Sequence, residues 1–183
     1  MRRTIIALVC VVFVLVTIVA FGHWDLQVDK HPLVPARFTD NGDGTVTDNM
    51  TGLIWLKDAN CFGRINWHQA KTAIEGLANG QCGLTDGSAQ GDWRLPKRAE
   101  LLTLLDERYE YPALSNTVGT DQWMEGDPFT DVQSGSYWSA TAYENSSDVL
   151  WLVTFSQSYM LYYANESFAR KTGISAVWPV RGR

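Results

Sequence analysis

The sequence is poor in the side chains that carry most metal and covalent chemistry. It has three histidines, His23, His31 and His68, and three cysteines, none of them after Cys82. With His68 the only histidine beyond residue 31, a histidine-rich iron site cannot be assembled and a structural zinc lacks its four ligands. There is no Gly-x-Ser-x-Gly phrase, and His68 is the one histidine on hand as a base, so a nucleophile-elbow hydrolase finds no support. Basic residues are outnumbered: 15 Lys and Arg face 20 Asp and Glu, and the formal charge of −5 argues against a general nucleic-acid binder. No internal repeat of about 20–50 residues is visible. Paired-carboxylate catalysis stays open, because Asp and Glu are scattered and their folded spacing cannot be read from the sequence.

What the sequence does hold is enough to fold. Its 183 residues suit one domain with a short appendage. An apolar fraction of 45%, with 12% aromatics and eight Trp, can bury a core, which excludes a largely disordered protein.

Arg2 and Arg3 precede an apolar run from Ile5 to Phe21, the layout of an export signal. Ala20 and Gly22 are the small residues that cleavage after Gly22 requires. An uncleaved anchor is the alternative, since the run falls at the short end of the roughly 17–25 residues that span a bilayer. Residues 1–22 are therefore read as signal peptide or anchor, and removing them, with Arg2 and Arg3 and no carboxylate, takes the formal charge from −5 to −7. Residues 23–36, with Pro32 and Pro35, read as an extended linker, and residues 37–183 as the domain. Both readings place the domain outside the cytosol: periplasmic, cell-surface or secreted, with membrane contact only through the N-terminal segment. In such a place Cys61 and Cys82 are expected to pair, with two free thiols or half a metal site as alternatives. Closing that loop stabilises the fold by about 3 kcal/mol in the chain-entropy account.

Within the domain, Asn41-Gly42-Asp43-Gly44 and Asp48-Asn49-Met50-Thr51-Gly52 are turn sequences between β-prone pieces, a hairpin signal. Asn66 caps an expected helix from Trp67 to about Ala78, with Trp67, Ala70, Ile74 and Leu77 on one face. A second helix is expected to start with Pro96 in its first turn and to bury Leu101, Leu102, Leu104 and Leu105. Val149–Phe155 reads as a central strand covered on both faces, Tyr159–Tyr163 as its hairpin partner, and Ile174–Val180 as a final strand limited by Pro179. Hairpin, helices, then strands amount to an α+β fold. Trp93-Arg94-Leu95-Pro96 leads into the second helix, where Arg94 can meet Glu100 or unpaired carbonyls. Trp93, Arg94, Pro96 and Glu100 are accordingly assigned structural roles, and Trp55, Trp67 and Trp151 are assigned to the core.

Several phrases keep a fixed order: Arg37-Phe38-Thr39-Asp40-Asn41-Gly42-Asp43-Gly44-Thr45-Val46-Thr47-Asp48, Thr51-Gly52-Leu53-Ile54-Trp55, Gly91-Asp92-Trp93-Arg94-Leu95-Pro96, Glu100-Leu101, Tyr137-Trp138-Ser139-Ala140-Thr141 and Val180-Arg181-Gly182. Together they resemble the Lcl C-terminal domain family of bacterial domains of unknown function. The resemblance implies a C-type-lectin-like fold, with two helices on short antiparallel strands and one disulfide. The Arg-Leu-Pro-x-x-x-Glu phrase is also similar to formylglycine-generating enzymes on that fold. Their late catalytic cysteines have no counterpart after Cys82. Asp40, Asn41, Asp43 and Asp48 carry oxygens that suit calcium, but the spacing is not that of an EF-hand and the Asn-Gly and Asp-Gly pairs are explained as turns. The Glu-Pro-Asn and Trp-Asn-Asp phrases of calcium-dependent lectins are absent.

The surface expected to bind lies between Ser134 and Phe168, where Tyr137, Tyr143, Tyr159, Tyr162 and Tyr163 mix with Asn145, Asn165 and many serines. Tyr offers rigid amphipathic area and Asn or Ser adaptable hydrogen bonds, a paratope-like blend. Arg94, Lys97, Arg98, Arg170 and Lys171 form a possible basic patch for sulfated glycans, which the net acidity disfavours. The expectation is an exported, adhesin-like binding module for an unidentified glycan or protein ligand, without cofactor, metal or catalytic turnover. A structural component of an envelope complex is the alternative, and an enzyme on the formylglycine-generating fold a distant third.

Overall fold

A computed structural model describes residues 35–156 and 165–182. The expectations for residues 1–34, and the strand at Tyr159–Tyr163, lie outside the described residues.

The turn-rich start folds as predicted, into a meander of β1 (Phe38–Asp40), β2 (Thr45–Asp48) and β3 (Ile54–Leu56). Its sheet is completed from the other end of the domain: β7 (Val180–Arg181) pairs antiparallel with β3, in the order β1-β2-β3-β7. The final strand is therefore shorter than Ile174–Val180. Pro179 has no N–H for a ladder, and Ser175 and Ala176 pair instead with Ile65 and Tyr137. Ala176, Trp178 and Val180 are buried, whereas Ile174 is exposed. Gly44 sits where this sheet meets the turn after Gln81. A Cβ on Gly44 would lie 2.4 Å from the Gly83 carbonyl oxygen, so only glycine fits.

The first helix, α1 (Trp67–Glu75), begins as its capping signal predicts. Gln69 N–H donates to Asn66 Oδ1, and Asn66 N–H donates to Gln69 Oε1. It stops at Glu75 rather than Ala78, because Gly76 takes the C-cap. Ala70, Ile74 and Leu77 are buried, whereas Trp67 is half-buried. The second helix, α2 (Arg98–Leu104), starts two residues later than Pro96. Pro96 is held in the segment before it, where its carbonyl accepts Ala140 N–H, and extended Lys97 takes the N-cap. Leu101 and Leu104 are buried, and Leu102 and Leu105 half-buried.

Next comes a second antiparallel sheet of β4 (Ser136–Ala142), β5 (Val149–Thr154) and β6 (Glu166–Arg170), with β5 central and α2 packed on β4 and β5. Trp178 joins the two sheets. Its ring meets those of Trp55, Phe129, Tyr137 and Phe155 at centroid separations of 4.9–5.7 Å, and its indole N–H donates to the Leu56 carbonyl. Burying so much aromatic surface around one hydrogen-bonded indole makes this cluster the centre of the core. Cys61 and Cys82 form a disulfide that ties the segment before α1 to the loop after it. The fold is α+β, with two helices and two antiparallel sheets among the described residues.

Candidate functional site

Alternation along β5 sends Leu150 and Leu152 inward and leaves Val149 and Trp151 half-exposed. Trp151 stands directly opposite Phe168 of β6, which is 56% exposed. Beyond an irregularity in β4 between Trp138 and Ala142, Tyr143 folds over the same face. Its ring stacks on Phe168 at 4.2 Å and 28°, and meets Trp151 edge-on at 4.9 Å. Three rings thus form one rigid aromatic face at the surface.

The turn after β4 sets the Tyr143 ring. Ser146 N–H donates to the Tyr143 carbonyl at 2.7 Å, and the two central residues, Glu144 and Asn145, have φ of 42° and 62°. That is the left-handed pair a type I′ turn requires, a conformation Asn tolerates well. The neighbouring Glu144 carboxylate pushes the Tyr143 pKa up, with help from desolvation.

Arg98, at the start of α2, backs the platform. Its guanidinium lies 4.1 Å from the Trp151 ring centroid and bonds both oxygens of Glu166 through Nε and Nη2. The cation is thereby stacked on one partner and neutralised by the other. Arg170 pairs with Asp148 at 3.2 Å, and Lys171 Nζ sits 4.5 Å over Trp67. Of the basic residues singled out in the sequence, Arg98, Arg170 and Lys171 thus have separate partners.

Arg94 has a different role. Its Nη1 and Nη2 bond the two Glu100 oxygens at 2.7 and 2.8 Å, and Nη2 also donates to the Gly182 carbonyl. Its backbone exchanges hydrogen bonds with Val180 in both directions. Beside it, buried Trp93 donates its indole N–H to Ser88 and lies beneath Arg181. The phrases around Trp93 and Val180 therefore meet in space. The sequence matches the Lcl C-terminal domain family over residues 44–181. The chain belongs to that family. No curated protein matches it.

In this Lcl C-terminal domain the expected ligand residues separate. Tyr143 is on the platform and Asn145 is exposed in the adjoining turn. Asn165 is at the other end of β5, where its carbonyl accepts Thr154 N–H, about 17 Å away by strand rise. Tyr137 is corrected from ligand to core. It is fully buried opposite Val153, its hydroxyl accepts Gln133 N–H, and burial pushes its pKa far up. Tyr159, Tyr162 and Tyr163 lie outside the described residues. Trp151, assigned to the core, and Phe168, Arg98 and Glu166 belong to the platform. The strand expected to be covered on both faces is thus half-exposed on the Val149 and Trp151 side, and because its residues are nearly all apolar no alternation in the sequence marked that face.

Among the described residues a further concavity is an open groove of about 360 Å³ lined by Asp40, Gly42, Lys57, Asp58, Cys82 and Thr130. Lys57 Nζ contacts Asp40 at 2.6 Å. Burial raises the Asp58 pKa against the opposing Asn60 N–H, and the charges of Asp131 and Glu125 raise it further. The candidate calcium residues direct oxygens into their own turns: Asp40 accepts Gly42 N–H, Asp43 accepts Thr45 N–H, and Asp48 accepts Met50 N–H.

Proposed function

We propose that the protein is an exported, non-catalytic binding module that recognises a glycan or protein ligand at the bacterial cell envelope or surface, in the manner of an adhesin. The observation that carries this reading is the solvent-facing trio of Tyr143, Trp151 and Phe168, pre-organised by mutual stacking and backed by Arg98. Tyr, Trp and Arg are the residue types that supply most binding energy at recognition surfaces. Rings already held in place lose little entropy when a ligand arrives. Export is supported by the charged and apolar N-terminal sequence together with the disulfide, which suits an oxidising compartment. Two helices, two antiparallel sheets and the family membership agree with a C-type-lectin-like fold.

The test is a glycan array paired with a pull-down from envelope material, using the native chain and a Tyr143→Ala/Phe168→Ala variant. Both substitutions are at the surface, so thermal unfolding should change little. Binding should fall by more than about 2 kcal/mol, the loss expected of a hot spot. A folded variant that retains full binding moves the site away from β4–β6. If the native chain binds only a fixed envelope partner, through a surface this variant does not touch, the assembly-component reading replaces this one.

A further inference from the structure

The chemistry of the aromatic face narrows its ligand class. Its cations are already satisfied: Arg98 is bonded to both Glu166 oxygens, and Arg170 is paired with Asp148. An anionic ligand would have to pull a guanidinium from its carboxylate and approach a chain of net charge −5. The apolar area is also small. Phe168 is the only large hydrophobic of β4, β5 and β6 that is exposed, among the described residues. A stable protein interface buries about 800 Å² on each side, far more than one ring and its half-buried neighbours offer. One ring is, however, the footprint of one sugar. Along β6, Glu166 and Arg170 flank Phe168 on the same face, which frames the ring with charged donors and acceptors.

Resting on the binding-module reading above, we propose that this face binds an uncharged hexopyranose. The sugar stacks its apolar C–H face on Phe168, and Arg170 and Asp148 exchange hydrogen bonds with its hydroxyls. A hydroxyl both donates and accepts, so it bonds a guanidinium and a carboxylate together without breaking their pair. The Tyr143 stack fixes the Phe168 ring before the sugar arrives, and the Arg98 fork on Glu166 holds Trp151 as its support.

The test uses the full chain and four probes: cellobiose, lactose, N-acetylchitobiose and heparin, titrated by calorimetry and by NMR. At least one neutral disaccharide should bind, with an affinity that changes less than about two-fold when salt rises tenfold, since no ions are released. Phe168→Leu keeps an apolar side chain but removes the flat face, and should weaken binding at least about tenfold, whereas Phe168→Tyr should stay within about threefold. Thermal unfolding of each variant checks that the fold is intact. The inference is overturned if no neutral probe binds, or if Phe168→Leu binds as tightly as the native chain. Salt-sensitive heparin binding lost in Phe168→Leu, with no neutral sugar bound, overturns the sugar class while leaving the face as a binding site. Envelope-protein capture lost in Phe168→Leu, again with no sugar bound, has the same meaning.

Discussion

The Arg94 fork closes on Glu100 across a partly buried boundary, with the arginine side chain 33% exposed and the carboxylate 14%. Burial on its own would raise the Glu100 carboxyl. The Arg94 hydrogen bonds and the Lys97 N–H outweigh it and hold the carboxyl below its ordinary 4.5. A carboxyl depressed by folding stabilises the fold above its unfolded pKa and loses that contribution as pH falls through the lower, folded value. Arg94→Ala should therefore cost about 2 kcal/mol at neutral pH, between the small worth of an exposed pair and the 3–5 kcal/mol of a broken buried one. Urea unfolding measures this directly. Glu100→Gln should destabilise at neutral pH and flatten the loss of stability that the native chain shows below about pH 4.5. An unchanged acid limb in Glu100→Gln would place the acid-sensitive group elsewhere.

At the level of elements, local signals were legible and long-range ones were not. Asn66 and Gln69 are three residues apart, so the start of α1 could be read without knowing what the helix packs against. Asn66→Ala should cost about 1 kcal/mol, visible as a lower melting temperature by circular dichroism. The start of α2 was misread because Pro96, a favoured first-turn residue, is bonded through its carbonyl to Ala140, a partner 44 positions along the chain. Tyr composition could not separate the faces of the second sheet. Tyr143 reached the surface and Tyr137 the core, according to pairings that only the fold supplies. Phe168 escaped notice for the same reason, since its importance comes from standing opposite Trp151.

For the whole molecule, the disulfide and β7 close the domain at two distant places. Cys61→Ala with Cys82→Ala should lower stability by about 3 kcal/mol, and mass spectrometry of non-reduced material should show one linked peptide pair. Two alkylatable thiols in the native chain would contradict the pairing. The other closure sets a timetable. Trp55 hydrogen-bonds within a sheet whose outer strand, at Val180, is 125 positions away, and Trp178 fills the core just before it. A chain emerging from its N-terminus keeps one flank of β3 bare, and the aromatic centre unfilled, until residues 178–181 are free. Closure of this sheet therefore waits for residues 178–181, and a variant truncated before Trp178 should keep an open strand edge, seen as faster limited proteolysis than the native chain.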